Sequence, residues 1–324
     1  MLEKYYPLKF QPIFEEKIWG GNKLKSVLNK KTVADSIGES WEISNVEGKI
    51  SMVANGSLKG QTLQNLLNNY TSDLIGTKNY SAFGNRFPLL IKFIDAQENL
   101  SIQLHPNNKL ARNRHNSFGK TEMWYVMHAN PHAKLVVGFN QDMTAEKYKT
   151  HLNNGTLLSI LNFDTAKPGD SYFIEAGRVH AIGSGILLAE IQQTSDITYR
   201  VYDWDRVDDN GNSRELHNDM AIDAINFNLK NDFRIEYTKQ NNDANQLVTC
   251  PHFTTNYLPI KRGTITKYNT FDSFIIYICV EGEAAIQANG FTVTINKGET
   301  LLLPAAIKTF QISAKSAQLL EVYI

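Results

Sequence analysis

The chain has 324 residues, of which 42% are hydrophobic and 20% charged, so it can bury a sizeable core, and its length suggests about two domains. Thirty-three basic side chains balance thirty-three acidic ones, which excludes the strong net field that attracts nucleic acid or an anionic membrane. Residues 1–7 lack the apolar core of a signal peptide and no apolar run is long enough to span a bilayer, so we expect a cytoplasmic protein.

The first part of the chain is predicted to mix short strands with turns. Short β-like runs lie at residues 8–10, 39–43 and 51–53. The neighbouring glycines Gly20 and Gly21 lack the spacing of a phosphate loop or of a dinucleotide fingerprint. We interpret this pair as a turn that needs positive φ.

Helices and strands then alternate in the prediction. Leucines at helical spacing over residues 62–69 predict a surface helix, with Thr62 as its N-cap. Thr144 is the predicted N-cap of a second helix, and a short third helix follows it. Four strands are predicted between these helices, the first two joined as a hairpin, at residues 87–95, 100–105, 122–127 and 134–139.

Polar side chains occupy one face of two of these strands. Strict alternation over residues 100–105 places Ser101, Gln103 and His105 on one face, opposite an apolar face. The strand that begins after the next polar loop places Lys120 and Glu122 on one face by the same period of two. These groups can therefore converge inside the protein.

A second histidine follows a strand and a glycine turn far downstream, at His180. A single histidine is more often a hydrogen-bonded core residue than a ligand, but Gln103, His105 and Glu122 form a joint pattern with it. Such a nitrogen and oxygen set without thiolate suits zinc, and leaving one position to water or substrate is the pattern of a catalytic site. The two cysteines have no metal-ligand spacing.

The second half of the chain returns to a β pattern. Residues 186–191 are apolar and predict a buried strand, and residues 217–227 predict one more helix. The polar stretch 239–245 is the best linker candidate. Strand follows strand over residues 246–324, which is typical of a sandwich or a jelly roll.

A faint internal repeat relates two segments, residues 169–180 and 298–309. Both resemble the second motif of the cupin superfamily, and the second copy has Thr309 where the first has His180. We therefore predict a mainly β protein built from two cupin-like jelly-roll domains. Residues 1–240 would form a catalytic, zinc-binding domain with helical insertions, and residues 241–324 a metal-free β domain.

Several separated motifs, in the right order over nearly the whole chain, closely resemble type I mannose-6-phosphate isomerases in what looks like their short bacterial form. The motifs are Trp19-Gly20-Gly21, the GESWEIS run at 38–44, Gln103-x-His105, the GKTEMWY run at 119–125, and the AEIQQTSD run at 189–196 with Arg200.

This resemblance implies an aldose–ketose isomerase that interconverts mannose 6-phosphate and fructose 6-phosphate through a cis-enediol. It also implies one zinc ion per chain, with a sugar phosphate as partner and a monomer or homodimer as the assembly. The implied metal ligands are Gln103, His105, Glu122 and His180.

The resemblance also assigns catalytic residues. It places Lys120 and Arg200 in the active site and implicates Asp196 in opening the sugar ring. Arginine offers a fixed positive fork against a developing enediolate without titrating, and burial together with a nearby cation would lower the pKa of a lysine that carries protons. Glu190 is expected to orient a ligand or the lysine at the substrate site. The alternative for Asp196 and Arg200 is a salt-bridged turn.

A sugar phosphate needs an anion clamp, and the chain has no glycine-rich phosphate loop. Matching to the family supports Ser101 and Arg206 as substrate-binding residues, because arginine pairs bidentately with phosphate. Arg178 is an alternative charge, and Arg206 could instead form a surface pair with Asp203 or Asp205.

Two other functions remain open from the sequence. One is a non-catalytic cupin that binds a sugar phosphate, which loss of Lys120 or Arg200 would favour, and neither is lost. The other is a different cupin metalloenzyme, such as an iron or manganese oxygenase, against which Gln103 and the arginines argue. The sequence does not decide which group takes the proton from C2.

Overall fold

The computed structural model describes residues 5–34, 36–207, 210–230 and 232–324. The first four residues of the N-terminal stretch, on which the expected lack of a signal peptide partly rests, lie outside these ranges. Among the described helices, none combines the length and the apolar character that crossing a membrane requires. Cys250 and Cys279 are both free thiols, the second fully buried.

The described residues are mainly β, as predicted, with nineteen strands, six α-helices and one 3₁₀ helix. The strands are β1 (Ile13–Gly21), β2 (Ile37–Ile43), β3 (Asn45–Val46), β4 (Lys49–Ile50), β5 (Leu89–Ala96), β6 (Ile102–Leu104), β7 (Glu122–Ala129), β8 (Lys134–Phe139), β9 (Leu161–Thr165), β10 (Ser171–Ile174), β11 (His180–Ile182), β12 (Ile186–Gln193), β13 (Tyr199–Tyr202), β14 (Asn245–Thr249), β15 (Thr254–Tyr268), β16 (Ile275–Ala288), β17 (Phe291–Asn296), β18 (Thr300–Leu303) and β19 (Thr309–Tyr323). The helices are α1 (Lys23–Ser26), α2 (Leu63–Ile75), α3 (Thr77–Phe83), α4 (Asn108–His115), α5 (Ala145–Asn153), α6 (Asn218–Ile222) and the 3₁₀ helix (Leu157–Ile160).

Three antiparallel sheets form the body of the protein. The first sheet has the strand order β1-β2-β5-β12-β7-β10, and the second has the order β13-β6-β11-β8-β9. The third sheet, of β14-β15-β19-β16-β17 with β18 beside β16, comprises the C-terminal strands. A two-stranded hairpin of β3 and β4 completes the pairing.

The first sheet is the middle layer, and the alternation of its residues sets the arrangement. On β12, Leu187 and Ile191 pack in a core cluster with C-terminal residues such as Val322. The next residue, Leu188, packs in a second cluster with Leu135 of the second sheet. The C-terminal sheet covers one face of β12 and the second sheet covers the other. The strand is therefore apolar on both faces, apart from the polar residues that face the second sheet.

The predicted hairpin over residues 87–105 is wrong. β5 pairs with β12 over eight consecutive positions, whereas β6 pairs with β11 and β13 in the other sheet. The N–H groups of Gln97 and Glu98 donate to the carbonyl of Trp19 at 2.9 and 3.1 Å, so the polar turn joins two sheets and not two paired strands. This crossover carries the chain from the middle layer to β6 of the second sheet.

The predicted helix caps are confirmed, with changes in helix length. The Thr62 hydroxyl accepts from the N–H of Asn65 at 3.1 Å, and α2 continues to Ile75 beyond the predicted 62–69. The Thr144 hydroxyl accepts from the N–H of Lys147 at 3.3 Å at the start of α5. The helix predicted over residues 217–227 is restricted to α6.

The predicted positive φ at Gly20 and Gly21 is wrong, since neither is among the described residues with positive φ and both lie in β1. The reason for glycine at position 20 is close approach, because an added Cβ would lie 2.5 Å from the backbone nitrogen of Gly38 on β2. In the C-terminal part, where strands were predicted throughout residues 246–324, residues 275–288 form one long strand, β16.

The C-terminal sheet is joined to the N-terminal segment as well as to the linker. Residues 239–244 are exposed and lead into β14, as the polar linker predicted. The N–H of Leu8 donates to the carbonyl of Leu302 at 2.9 Å, so the first described residues pair with the C-terminal sheet. The division of the chain after residue 240 stays a prediction.

Candidate active site

Three strands bring a buried polar cluster together between the first two sheets. His105 follows β6, Glu122 is the first residue of β7, and His180 is the first residue of β11. One ligand atom from each of these three buried side chains lies within 4.8 Å of the others. The register of β6 with β11 places Gln103 directly opposite His180. The four predicted ligands are therefore neighbours.

A glycine turn fixes the position of His180. Gly177 has φ of 85°, and its N–H donates to the carbonyl of His105 at 2.7 Å. An added Cβ at Gly177 would lie 2.3 Å from the carbonyl oxygen of Ala224, so both the φ and the space favour glycine. This turn couples the two histidine segments directly.

Both histidines present Nε2 to the carboxylate. The Nδ1–H of His105 donates to the carbonyl of Ile197 at 2.9 Å, and that of His180 donates to the carbonyl of Arg178 at 2.8 Å. The two Nε2 atoms lie 3.4 and 3.6 Å from oxygens of Glu122. Backbone carbonyls that accept from Nδ1 select the tautomer in which Nε2 is free to bind a metal.

Burial keeps both imidazoles neutral. It lowers the pKa of His105 to about 3, with Lys120 acting in the same direction, and it lowers the pKa of His180 as well. Burial alone would raise the pKa of Glu122, but Lys120 and His105 outweigh it and hold that pKa well below its usual range. Two neutral imidazoles thus face an ionised carboxylate.

The bonding of Glu122 is incomplete. Both of its oxygens are buried and make no hydrogen bond among the described residues, although Oε2 forms an ion pair with Lys120 Nζ at 2.7 Å. A buried charged oxygen without a donor is unfavourable, and a cation would satisfy it. With two imidazole nitrogens, this carboxylate and no thiolate, the donor set fits a divalent ion such as zinc.

Gln103 completes the ring at its open side. Its Oε1 accepts from the Ser101 hydroxyl at 3.2 Å, and its Nε2 lies 3.5 Å from His180 Nε2. The amide oxygen and nitrogen can exchange places by rotating the side chain half a turn. That rotation would turn Oε1 toward the imidazole nitrogens, as a fourth ligand requires.

Lys120 lies against the cluster, as the shared face with Glu122 predicted. Its Nζ is 3.0 Å from His105 Nε2 and 3.9 Å from Glu190 Oε1. Burial would lower its pKa, as expected from the sequence, but the carboxylates of Glu122 and Glu190 reverse the sign and raise it. The lysine is therefore an ammonium in the protein without metal.

A cavity of about 370 Å³ opens on this cluster. Its described lining has six cationic side chains and three carboxylates, which is a local excess of positive charge in a chain of zero net charge. The lining includes seven predicted site residues, Ser101, Gln103, Lys120, His180, Glu190, Asp196 and Arg200. A sugar phosphate of negative charge suits such a cavity.

Glu190 is tied to the aromatic and basic wall of the cavity. Its Oε2 accepts from the indole N–H of Trp124 at 3.0 Å, and its Oε1 lies 3.6 Å from Lys92 Nζ. Burial and the nearby Glu122 raise its pKa. The carboxylate thus stands between two lysines, Lys92 and Lys120, as a partner that orients them.

The described residues show no ion pair between Asp196 and Arg200, so the alternative of a salt-bridged turn is not observed. Asp196 is exposed at the rim of the cavity. Arg200 donates through Nη1 to the carbonyl of Glu215 at 2.8 Å, while its Nε is buried and has no partner in the described part of the chain. Burial and the neighbouring Arg214 lower the pKa of Arg200.

The two other candidate arginines lie elsewhere. Arg206 does not line the cavity, and its guanidinium donates to the carbonyl of Asn99 at 2.7 Å. Arg178 is buried, pairs with Glu175 at 3.1 Å and stacks over Phe233. Arg206 therefore does not reach the cavity in which a phosphate contact was predicted. Among the described residues, its side chain also forms no ion pair with Asp203 or Asp205, the predicted alternative.

Several residues of the cavity were not found from the sequence. Arg214 lines it and forms a bidentate pair with Asp203, with Nε 2.7 Å from Oδ2. Lys92 lies in the fully buried strand β5. A lysine inside an apolar run is unusual, and this pattern could have indicated a functional residue from the sequence. Arg214 lies in a loop without periodicity, and no sequence signal marks it.

Comparison with known proteins gives concordant matches. A family model described as phosphomannose isomerase type I, catalytic domain, matches residues 8–132, and one described as mannose-6-phosphate isomerase, cupin domain, matches residues 243–324. Mannose-6-phosphate isomerase ManA of Bacillus subtilis is 34% identical over 309 residues, 94% of this chain and 95% of that protein. The mannose-6-phosphate isomerase of Streptococcus mutans is 34% identical over 306 residues, 94% of each.

Solved structures agree. The crystal structure of the mannose 6-phosphate isomerase from Bacillus subtilis superposes with a TM-score of 0.87 at 32% identity, covering 98% of this chain and 99% of that one. A phosphomannose isomerase from Salmonella typhimurium, at 15% identity and a TM-score of 0.79, shares the fold. The similarity therefore extends over the whole length of the chain.

Proposed function

Since this chain belongs to the type I phosphomannose isomerases and is a mannose-6-phosphate isomerase, we propose that it uses one zinc ion per chain and a cis-enediol intermediate. The observation that carries the proposal is the buried ring of His105, Glu122 and His180, with an unpartnered carboxylate oxygen. These three residues and Gln103 would hold the ion. Bound zinc supplies Lewis acidity that polarises the carbonyl and hydroxyl oxygens of the substrate.

We assign proton transfer to Lys120. Its Nζ lies within 3.0 Å of both Glu122 and His105, at the floor of the cavity. Its raised pKa makes it an ammonium at rest, so it donates a proton to a substrate oxygen before it can accept one. Glu190, 3.9 Å away, orients it and balances its charge.

Asp196, in the turn after β12, and Arg200, on β13, act on the sugar itself. Asp196 lies at the rim as an exposed carboxylate and is the candidate base for opening the ring. Arg200 keeps a buried Nε–H that has no partner among the residues the structure describes, and this donor can bind the charge that develops on the enediolate. Because this N–H has no partner among the described residues before the reaction, its hydrogen bond to the substrate strengthens as negative charge develops on the enediolate.

The phosphate is assigned to Arg214 and Ser101. Arg214 lines the cavity, and the Asp203 carboxylate holds its guanidinium in one orientation. Arg200 lies close enough for the two guanidinium charges to repel, a strain that a phosphate between them would relieve. Arg206, which the family match favours, is engaged with a backbone carbonyl outside the cavity.

The remaining parts of the prediction are carried forward as proposals. Residues 1–240 would be the catalytic domain, and residues 241–324 a metal-free β domain that supports it. A sugar phosphate is a cytoplasmic metabolite, which supports the cytoplasm as the location. No observation favours the oxygenase alternative, and the cavity keeps Lys120 and Arg200, which a non-catalytic binding protein would not need.

The direct test is coupled turnover of mannose 6-phosphate by the purified protein, before and after chelation and after zinc is returned. We expect activity that disappears on chelation and returns with zinc. His180→Ala and Arg200→Ala should both be inactive, while His128→Ala, on the same sheet but with its ring bonded to Asn130 and outside the lining of the cavity, should retain full activity. Full turnover by the chelated protein would contradict the role of the metal.

A further inference from the structure

A second cavity, of about 420 Å³, lies behind the catalytic strands at the junction of α3, α4 and the end of β12. It shares no lining residue with the catalytic cavity. Its lining is basic, amide and aromatic, and the described residues contribute no carboxylate to it. In a chain with equal numbers of acidic and basic residues, this is a distinct local field.

Two arginines in this cavity have no anionic partner. Arg86 and Arg112 are exposed, and neither forms an ion pair in the part of the chain that the structure describes. The guanidinium of Arg86 lies 5.7 Å from the centre of the Phe118 ring. On the same helix as Arg112, by contrast, Arg114 is paired with Asp223 and donates to the carbonyl of Met220.

The cavity also has an apolar wall. The rings of Phe83 and Phe118 lie edge to face with centres 6.3 Å apart. Amide and hydroxyl groups of Asn108, Ser117 and Gln193 also line the cavity, together with Asn116, Ala82 and the imidazole of His252. Guanidinium forks bind phosphate, aromatic rings bind the flat face of a sugar or base, and amides bind hydroxyl groups.

We propose that this second cavity binds a small phosphorylated metabolite with a planar or apolar ring, through Arg86 and Arg112, as a regulatory site of the enzyme. The binding part of the proposal is independent of the isomerase activity. The regulatory part rests on the proposed function.

A short chain of hydrogen bonds joins this site to the catalytic strand. Asn108 Oδ1 accepts from the N–H of Gly119 at 2.9 Å and from Gln193 Nε2 at 3.1 Å. Gln193 Oε1 accepts from the N–H of Thr121 at 3.0 Å. The segment held in this way contains Lys120, so a ligand that moves either amide also shifts the proton carrier.

The binding test uses AMP and inorganic phosphate as probes, titrated calorimetrically into the zinc-loaded protein. We expect AMP to bind more tightly than phosphate, because the rings add contacts. The double variant Arg86→Gln with Arg112→Gln should lose AMP affinity by about tenfold or more, since two charged hydrogen-bond donors are removed. Arg114→Gln is the matched control and should bind as the wild type does.

Other results would overturn the proposal. A loss of AMP affinity in Arg214→Gln, and not in the double variant, would place the ligand in the catalytic cavity. An equal loss of AMP affinity in Arg114→Gln would indicate non-specific electrostatic attraction. If neither AMP nor phosphate binds, the proposed site does not exist. For regulation, AMP should change kcat in the wild type and not in the double variant, whereas an effect on KM alone contradicts the coupling.

Discussion

Two buried glutamates, in different sheets, are bonded in opposite ways. Glu321 on β19 is 1% exposed, and its carboxylate pairs with Lys267 at 2.6 Å while accepting from Tyr277 and from Asn256. Glu122 on β7 is fully buried too, yet neither of its oxygens makes a hydrogen bond in the described part of the chain, and only Oε2 has an ion pair, with Lys120. Both have a lysine partner, so the difference lies in the remaining bonds.

The comparison separates structure from chemistry. A buried carboxylate whose two oxygens both accept hydrogen bonds is a stabilising element, and burial beside Glu321 raises the pKa of Tyr277 well above its usual range, which keeps it a donor. A buried carboxylate with an open oxygen, facing two imidazole lone pairs, is suited to receive a cation. Between these two glutamates, the missing hydrogen bonds distinguish the proposed metal ligand from the residue that only stabilises the fold.

The largest expected effect comes from Glu122→Gln. The amide keeps the shape and removes the charge that faces the two histidines, so kcat/KM should fall about 10³-fold or more, because a metal contributes several kcal/mol to such a reaction. Steady-state kinetics of the zinc-supplemented variant checks this. Glu283→Gln, an exposed change of the same type on β16, should leave kcat/KM unchanged. Wild-type activity in Glu122→Gln would contradict the proposal that Glu122 is a metal ligand.

Glu321→Gln should show the opposite pattern. Breaking this buried pair is expected to lower the free energy of unfolding by about 3 kcal/mol, since Lys267 and Tyr277 lose their acceptor charge. Urea unfolding measures the change, and Glu283→Gln again serves as control. The kcat of the folded variant should stay at the wild-type value. A loss of kcat without a loss of stability would contradict the view that Glu321 is structural and Glu122 functional.

The histidines make stability depend on pH in the metal-free protein. Between pH 7 and pH 5 an unfolded imidazole takes up a proton that native His105, with its pKa lowered to about 3, does not. Acidification therefore favours the unfolded state, by about 2 kcal/mol for this residue over that range. Urea unfolding of the chelated protein should show the slope, and His105→Asn should reduce it. Equal slopes in both proteins would mean that the native imidazole is not held neutral.

The smallest expected effect compares two arginines. Arg214→Gln should raise KM for mannose 6-phosphate about tenfold with little change in kcat, because it removes one charged contact with the phosphate. Arg206→Gln is the matched control, since its guanidinium binds a backbone carbonyl outside the cavity. If Arg206→Gln raises KM and Arg214→Gln does not, the assignment from the family match is the correct one.

Local patterns predicted much of the metal-facing surface. The period of two along short strands put Gln103 with His105, and Lys120 with Glu122. In the structure Gln103 lies opposite His180, whose ring is next to that of His105, and Lys120 pairs with Glu122. The glycine turn before His180 was equally local. Such features depend on residues a few positions apart, and backbone geometry fixes their relative orientation.

Non-local choices were not predictable in this way. The turn after β5 has the composition of a hairpin, but β5 pairs with β12, about a hundred residues away, because both are buried strands of the middle layer. Glu321 lies in an apolar C-terminal strand, and its partners Tyr277 and Asn256 come from two other strands. Arg214 reaches the cavity from a loop, where no periodicity indicates direction.

The central claim is that the carboxylate of Glu122, which lacks hydrogen-bond partners among the described residues, binds a metal ion, and that the hydrogen-bonded carboxylate of Glu321 does not. The most direct measurement is the zinc content per chain of the wild type, Glu122→Gln and Glu321→Gln after loading and exhaustive dialysis. We expect about one zinc ion in the wild type and in Glu321→Gln, and essentially none in Glu122→Gln. Retention of a full equivalent by Glu122→Gln, or its loss from folded Glu321→Gln, would contradict the claim.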